Sequence, residues 1–456
     1  MQKRIRQYLE DVANSKGTTL SVCLLGYGAT SSSLLPILKE CKLVKEITVR
    51  HSGVLYDRPD ESVRLILGTD AFADIYEDIV FASPSVRRES LTLPKHTRMT
   101  SDTEIFFAEQ RENVFCVSGS DGKSTVTTIA SLLLSPTFPK LFTGGNLGRP
   151  VALATLDADA FLLELSSFNL RYTAPKSKRA VLTNVTPNHL DWHADLGEYE
   201  RSKMRLIYST KEAVLPLSCP FNEDLAKAIH TYALVSLTRS DRELRESYDT
   251  DHTLTLCDGY IHFDGEALLN TKAVLQRQSH SLENLMSAIA LTHGYTTNEH
   301  IAEVAAAFDG LQHRCEVFRL GGKEYINSSI DTSPERTKTT LKDLARRVHL
   351  ILGGRGKGLP PDAMKDAILR YAESISVYGE VALDICGWLD ADPELSKIPH
   401  HSFDTLKEAI DNADSLAEKD GAVLLSPSAT AYGEFRSFVQ RGDFFKDYLS
   451  KKHGQI

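Results

Sequence analysis

Cysteine is sparse in this chain. Its seven residues are scattered, odd in number and never spaced Cys-x-x-Cys. That excludes a disulfide framework or a zinc ribbon and predicts reduced thiols in a cytoplasmic protein. Long apolar runs are missing too: none approaches the ~18 residues a membrane span needs. The opening stretch, MQKRIRQYLEDVANSKG, is interrupted by charge and reads as an amphipathic helix rather than a signal peptide. Positive charge is not in excess. Lys and Arg number 52 against 61 Asp and Glu, a net charge of -9, which argues against nucleic acid or an anionic membrane as the main partner. There is no low-complexity tract and no short repeat, so solenoids are excluded. What remains is a soluble globular composition, 42% hydrophobic and 25% charged, in 456 residues. A chain of that length is too long for one core and suggests about three domains.

The most informative stretch is VFCVSGSDGKSTVTT, Val114 to Thr128. An apolar run reads as a buried parallel strand, Gly119-Ser120-Asp121-Gly122 turns the backbone, and Lys123-Ser124-Thr125 opens a helix. Strand, glycine turn and helix present backbone N–H groups and a helix N-terminus to an anion. Lys123 is placed to reach the β- and γ-phosphates and Ser124 to bind Mg²⁺. Val117 stands where the full pattern has glycine, so this is a shortened phosphate loop. A chance turn with a surface lysine is the weaker reading, and ATP is the predicted ligand.

Upstream, LSVCLL (Leu20–Leu25) is a strand followed by Gly26-Tyr27-Gly28, with Ser31 at the third position of an incomplete GxGxxG. A ligand-free βα turn and a phosphate cradle are equally good readings of it. The next strand ends in Arg50, where a dinucleotide-binding domain carries an acid. That disfavours NAD and leaves room for a phosphate-bearing ligand. These elements, with Ile79 to Ala82, predict a small doubly wound α/β domain.

Downstream, FTGGNLG presents Asn146 on a glycine-rich loop, and AFLLELSSF reads as a buried strand through Phe168 carrying Glu164. A carboxylate there is expensive to bury without a cation, and beside a phosphate loop that cation is Mg²⁺. The run TPNHLDWH holds His189 and His193, without a third ligand at zinc spacing. Glu198 to Leu206 is a helix pointing Lys203 back toward that loop. Residues 213–275 read as short strands and turns. His280 and Asn284 lie four apart on one helix face, as a cap or as ligand contacts. After a boundary near Asp309-Gly310, strands and helices alternate again, with loops LGGRGKG and LLSPSAT at strand ends, where open α/β sheets bind ligands.

These motifs occur together in one family. GSDGKST, GGNLG, LLELSSFNL, NVTPNHLDWH, SKMRL, LQHRCEVF, YINSSIDTSPERT, LGGRGKG, LLSPSATAYGEF and FVQRGDFF resemble, in order and over essentially the whole chain, the Mur ligases, and within them the branch that adds D-glutamate. The resemblance implies a three-domain α/β architecture: a Rossmann-like domain for the UDP moiety (residues 1–109), a P-loop ATPase-like domain (110–309) and a Rossmann-like domain for the amino acid (310–456). It implies ATP-dependent amide formation on UDP-N-acetylmuramoyl-L-alanine through an acyl phosphate, in a cytoplasmic monomer with no nucleic-acid or membrane partner.

By position, Gly119 to Thr125 would bind the triphosphate, and Asn284, Arg314 and Asp331 the rest of the ATP. Ser124 and Glu164 would ligate one Mg²⁺ and His189 a second, with Lys203 carbamylated by CO₂ into a carboxylate-like ligand. Gly26, Gly28, Arg50, Asn146, Lys357, Ser426 and Phe438 would contact the substrates. The chain departs from the family pattern at Ser328, which stands where an Asp holds the ribose, with Asp331 as substitute. Ala431 stands for a serine that contacts D-glutamate, and Gly433 for an Asp. A related ligase for another amino acid is one alternative. A nucleotide-binding protein without ligase activity is the other, and it has no use for two metal sites.

Overall fold

The computed structural model describes the chain apart from residues 54, 56, 57, 110, 156, 190, 191, 275–278, 357, 455 and 456 and the side chains of 279 and 280. The chain divides into two compact units, Met1–Phe308 and Asp309–Ile456. Its strands in the first unit are β1 (Leu20–Leu25), β2 (Val44–His51), β3 (Arg64–Leu67), β4 (Ile79–Ala82), β5 (Arg98–Thr100), β6 (Val114–Ser118), β7 (Leu141–Gly145), β8 (Ala160–Glu164), β9 (Ser177–Leu182), β10 (Thr210–Pro216), β11 (Thr231–Ser236), β12 (Thr250–Cys257), β13 (Tyr260–Phe263) and β14 (Glu266–Asn270). They form a parallel sheet of order β3-β2-β1-β4-β5 and a nine-stranded sheet of order β14-β13-β12-β11-β10-β9-β6-β8-β7, whose β12-β13-β14 edge is antiparallel.

Helix Gln2–Lys16 forms because Ile5, Leu9, Val12 and Ala13 fall on one buried face, and it stops at Gly17, whose left-handed backbone returns its N–H to Ala13 O. That face joins a hydrophobic cluster that also contains Leu20, Phe81, Phe106, Phe161 and Leu163. One core thus runs under both sheets.

Three sequence expectations are corrected here. The strand expected through Phe168 ends at Glu164, because Ser166 and Asn169 form a capping box that starts helix Ser167–Tyr172. FTGGNLG is half strand, since its first residues pair with β8 as the edge strand β7. Residues 213–275 contain two helices, Pro220–Ala228 and Asp241–Ser247, the second opened by a Ser240/Glu243 capping box.

The second unit has strands β15 (Glu316–Leu320), β16 (Lys323–Asn327), β17 (Val348–Gly353), β18 (Ala372–Tyr378), β19 (His400–Phe403) and β20 (Ala422–Ser428), in order β15-β16-β20-β17-β18-β19. Among these strands the β15-β16 pair is antiparallel and the other pairs are parallel. The parallel strands end together, so their following loops share one edge of the sheet.

Candidate active site

The phosphate loop leaves β6 and enters helix Lys123–Leu134, whose N-cap Gly122 has φ 77° and supplies no side-chain cap. The helix therefore offers its first-turn N–H groups to an anion. The loop is braced from outside. Ser120 N–H donates to Asn184 O (2.8 Å), Asp121 N–H to Asn184 Oδ1 (2.9 Å), Thr183 Oγ1 to Asp121 O (2.5 Å) and Ser120 Oγ to Thr186 O (2.9 Å). The Ser120 and Asp121 amides, expected on phosphate, are spent inside the fold, so the anion-binding part is narrower than Gly119 to Thr125. Two glycines are required. A Cβ at Gly119 would run into Thr183 Oγ1 and one at Gly122 into Asn284 Oδ1, at φ 148° and 77°. Asn284 therefore lies against the loop, as its assignment to the nucleotide needs. Of His280, paired with it in the sequence, the side chain lies outside the described residues.

Parallel pairing of β6, β8 and β7 brings the next loops alongside. Glu164 is 1% exposed, accepts from Ser124 Oγ at 2.8 Å through Oε2 and from Asn146 Nδ2 at 2.9 Å through Oε1. Three residues read separately from the sequence thus share one carboxylate. Buried with two neutral donors, it suits a divalent cation, and Ser124 adds a second oxygen.

Lys123 Nζ donates to Gly119 O (3.0 Å) and Ser120 O (2.8 Å), and Lys203 Nζ reaches the same Gly119 O at 2.6 Å. The sequence directed Lys203 toward the histidine loop; helix Leu196–Ser209 instead aims it under the phosphate loop. It is 2% exposed. Burial, with the Lys123 charge second, holds its amine well below the usual lysine range against the opposing pull of Asp121 and Glu164.

His189 is on an exposed turn at φ 54°, its ring 5.0 Å from that of Phe168. His193 is buried and uses both ring nitrogens within the fold, toward Glu198 Oε1 (3.1 Å) and Ser167 Oγ (3.0 Å), and burial lowers its pKa. Among the described residues no group of three His, Cys, Asp or Glu is arranged around a metal position.

In the first sheet, Gly26 turns at φ 79° after β1, and Ser31 Oγ donates to Gly26 O at 2.5 Å, closing the turn where the third glycine was missing. Gly28 precedes helix Ala29–Lys39 with open space beside it. Arg50 is a correction. It is buried, and its guanidinium donates to Glu77 Oε1 (3.3 Å) and to the carbonyls of Ala71 (3.2 Å), Ala73 (2.7 Å) and Asp74 (3.0 Å). Four of its five N–H donors are used inside the fold, and the residue is a brace for the loop between β3 and β4.

In the second unit, Ser426 and Asp331 are also corrections. Both are buried, with Ser426 Oγ donating to Asp331 Oδ2 at 2.8 Å and Thr340 Oγ1 donating to the same oxygen at 2.8 Å. They tie the end of β20 to helix Pro334–Leu344 rather than facing a substrate. Arg314 is exposed, Phe438 packs edge-on to His313 at 6.2 Å, and Lys357 lies outside the described residues. Sequence reasoning missed Arg441. Fully buried, its guanidinium donates to Ser329 O (2.9 Å), Ala429 O (3.1 Å), Tyr378 Oη (3.3 Å) and Gly353 O (3.5 Å). One cation thus joins the ends of β16, β20, β18 and β17. The signal was an arginine beside a glycine on an otherwise apolar helix face, in FVQRGDFF.

Residues 117–292 match the Mur ligase middle domain. Over 82% of this chain and 82% of its own, the UDP-N-acetylmuramoylalanine–D-glutamate ligase of Clostridium perfringens is 31% identical. The chain belongs to this ligase family. The Clostridium beijerinckii ligase is 30% identical over 98% of the chain and 99% of its own length. The MurF ligase from Thermotoga maritima, solved with ADP, superposes with TM-score 0.52 at 15% identity, covering 96% of this chain and 97% of that one. A UDP-N-acetylmuramoyl-L-alanyl-D-glutamate–2,6-diaminopimelate ligase gives 0.51 at 17% identity over 82% and 87%. These two share the fold, so the α/β Mur ligase architecture is that of this chain.

Proposed function

We propose that this chain joins D-glutamate to UDP-N-acetylmuramoyl-L-alanine at the expense of ATP, in peptidoglycan synthesis. The observation that carries the reading is the shared carboxylate: Ser124 and Asn146 converge on buried Glu164 beside an uncapped phosphate-loop helix. The Mur ligases use ATP and Mg²⁺. Glu164 and Ser124 are the residues that would hold a magnesium ion, with His189 and a carbamylated Lys203 serving a second. When bound, the metal neutralises phosphate charge.

The rest of the chemistry belongs to side chains. Lys123 and the first-turn amides hold the triphosphate, so that the substrate carboxylate can attack the γ-phosphorus in line and ADP can leave. The resulting acyl phosphate gives the carboxyl carbon a leaving group, which the D-glutamate amine displaces, releasing phosphate. Asn146 orients the accepting carboxylate. The β1-to-β5 sheet takes the uridine nucleotide, with Gly26 and Gly28 at its entrance, and Asp309–Ile456 takes the amino acid. The enzyme works in the cytoplasm; among the described residues no helix is long and apolar enough to cross a membrane.

Two measurements test this. Phosphate release from Mg-ATP with UDP-N-acetylmuramoyl-L-alanine is expected with D-glutamate and not with L-glutamate. Release with another amino acid instead would move the specificity to the loop around Ala431, and release with none would end the ligase reading. A neutral lysine amine can add CO₂, losing a proton to give a carbamate, and Lys203 is held toward its neutral form. Lys203→Ala should therefore lose about 10²–10³-fold in kcat and regain part of it with formate or acetate. Unaltered turnover in the variant would remove the metal-side role.

A further inference from the structure

The two sheets of the first unit meet along a joint held by several bonds. Arg88 N–H donates to Tyr172 Oη at 3.0 Å, Tyr172 Oη donates to Glu89 at 2.8 Å, and Ala152 N–H donates to buried Asp102 at 2.9 Å. One further contact across that joint differs in kind. Trp192 Nε1 donates to Ser85 O at 2.7 Å, in the loop that follows β4, and the Arg87 guanidinium lies 5.9 Å over the same ring. That loop borders the carboxyl-end crevice of the first sheet, since a Cβ on Gly26, after β1, would meet Ser83 at 2.9 Å.

The other side of Trp192 packs toward His189. Its ring packs at a tilt of 46° against Phe168 with centroids 4.3 Å apart, and Phe168 in turn packs against His189 at 5.0 Å. Its backbone N–H donates to His189 O at 3.0 Å, as does that of His193 at 2.9 Å. His189 thus stands at the head of a turn in left-handed backbone, an uncommon conformation for a residue with a side chain. Trp192 braces that turn from the first-sheet side.

We propose that Trp192 is a positioning residue that couples the two halves of the site: filling the first-sheet crevice with uridine nucleotide shifts the Ser83–Ser85 loop, and Trp192 carries that shift to His189. The coupling rests on the functional reading above. Because the joint has its other bonds, the two sheets stay docked without the indole N–H. The coupling is a shift of His189 between poorly and well-placed orientations, driven by the difference in affinity for nucleotide of the two.

The chain has two tryptophans, so Trp388→Phe leaves Trp192 as the sole indole reporter. In that variant, UDP added without ATP or Mg²⁺ is expected to change the emission saturably, with the midpoint found by equilibrium dialysis. Dialysis that shows UDP bound while emission stays flat overturns the coupling and leaves the substrate reading intact. Dialysis that binds neither UDP nor UDP-N-acetylmuramoyl-L-alanine overturns both. Trp192→Phe keeps the ring on Phe168 and removes the bond to Ser85. It is expected to raise the Mg²⁺ concentration for half-maximal phosphate release about fivefold, the worth of one hydrogen bond, at unchanged melting temperature. A lower melting temperature with wild-type Mg²⁺ dependence would mean that Trp192 only packs.

Discussion

Replacing Glu164 by Gln is expected to lower the phosphate-release kcat by about 10²–10³-fold, the usual worth of one lost electrostatic contact to a transferring group, and to leave the protein as stable as before. The two effects separate because the carboxylate does two things. Structurally it accepts from Ser124 and Asn146, and glutamine keeps one acceptor oxygen for Ser124 while the Asn146 amide can turn. Removing a buried charge whose partners are neutral costs the fold little, and can help it. Chemically, the loss is that of the anionic oxygen pair that touches both the phosphate-loop hydroxyl and the Asn146 loop. Steady-state phosphate release and a thermal melt on the same preparation decide it. A variant that melts as wild type and turns over as wild type would show that the carboxylate has no part in the reaction.

Arg441→Met is expected to have the largest effect on stability, confined to Asp309–Ile456. The side chain is fully buried, and its charge is balanced by carbonyl oxygens rather than by a carboxylate. Methionine fills most of the volume but leaves the Ser329 and Ala429 carbonyls and the Tyr378 hydroxyl without their donor. An orphaned buried polar group costs about 1–3 kcal/mol, so losing several together should reach about 3–5 kcal/mol, the range for a broken buried ionic network. Lysine is no remedy, because a single ammonium cannot span the ends of four strands as a planar fork does. Trp192 lies in the first unit and Trp388 in the second, so urea unfolding followed through each indole separately reads the two units apart. The Trp388 transition should move to lower urea and the Trp192 transition should stay. Equal movement of both, or of neither, would contradict the assignment.

Arg441 and Arg50 show why some of the site escaped reading. Each is an arginine at or near the end of an apolar stretch, and the local pattern is the same whether the partner is a phosphate or the protein itself. Arg50 is claimed by Glu77, 27 residues away, and by carbonyls of a loop that the strand's own sequence does not mention. Asp331, assigned by resemblance as the stand-in for the ribose aspartate, and Ser426, at the end of a strand of an open sheet, bond to each other across 95 residues.

The phosphate loop was legible because everything that makes it is consecutive. A strand, a glycine with positive φ and an uncapped helix are backbone properties, and seven adjacent residues suffice to specify them. Glu164 stood out for a related reason: a carboxylate at the end of a run of buried apolar residues needs partners wherever the strand sits, and it takes Ser124 and Asn146.

By its own pattern, then, the sequence determined the α/β class, most of the strands, the phosphate loop and the buried carboxylate at Glu164, all of which follow from short-range backbone preference and apolar periodicity. Only the tertiary structure decided which charges face a ligand and which are consumed. It put Asn146 and Ser124 on one carboxylate, sank Lys203 under Gly119 and turned Arg50 inward. The physical reason is that a charge or polar group acts through whatever lies within hydrogen-bond reach, and strand order, not chain order, sets who those neighbours are.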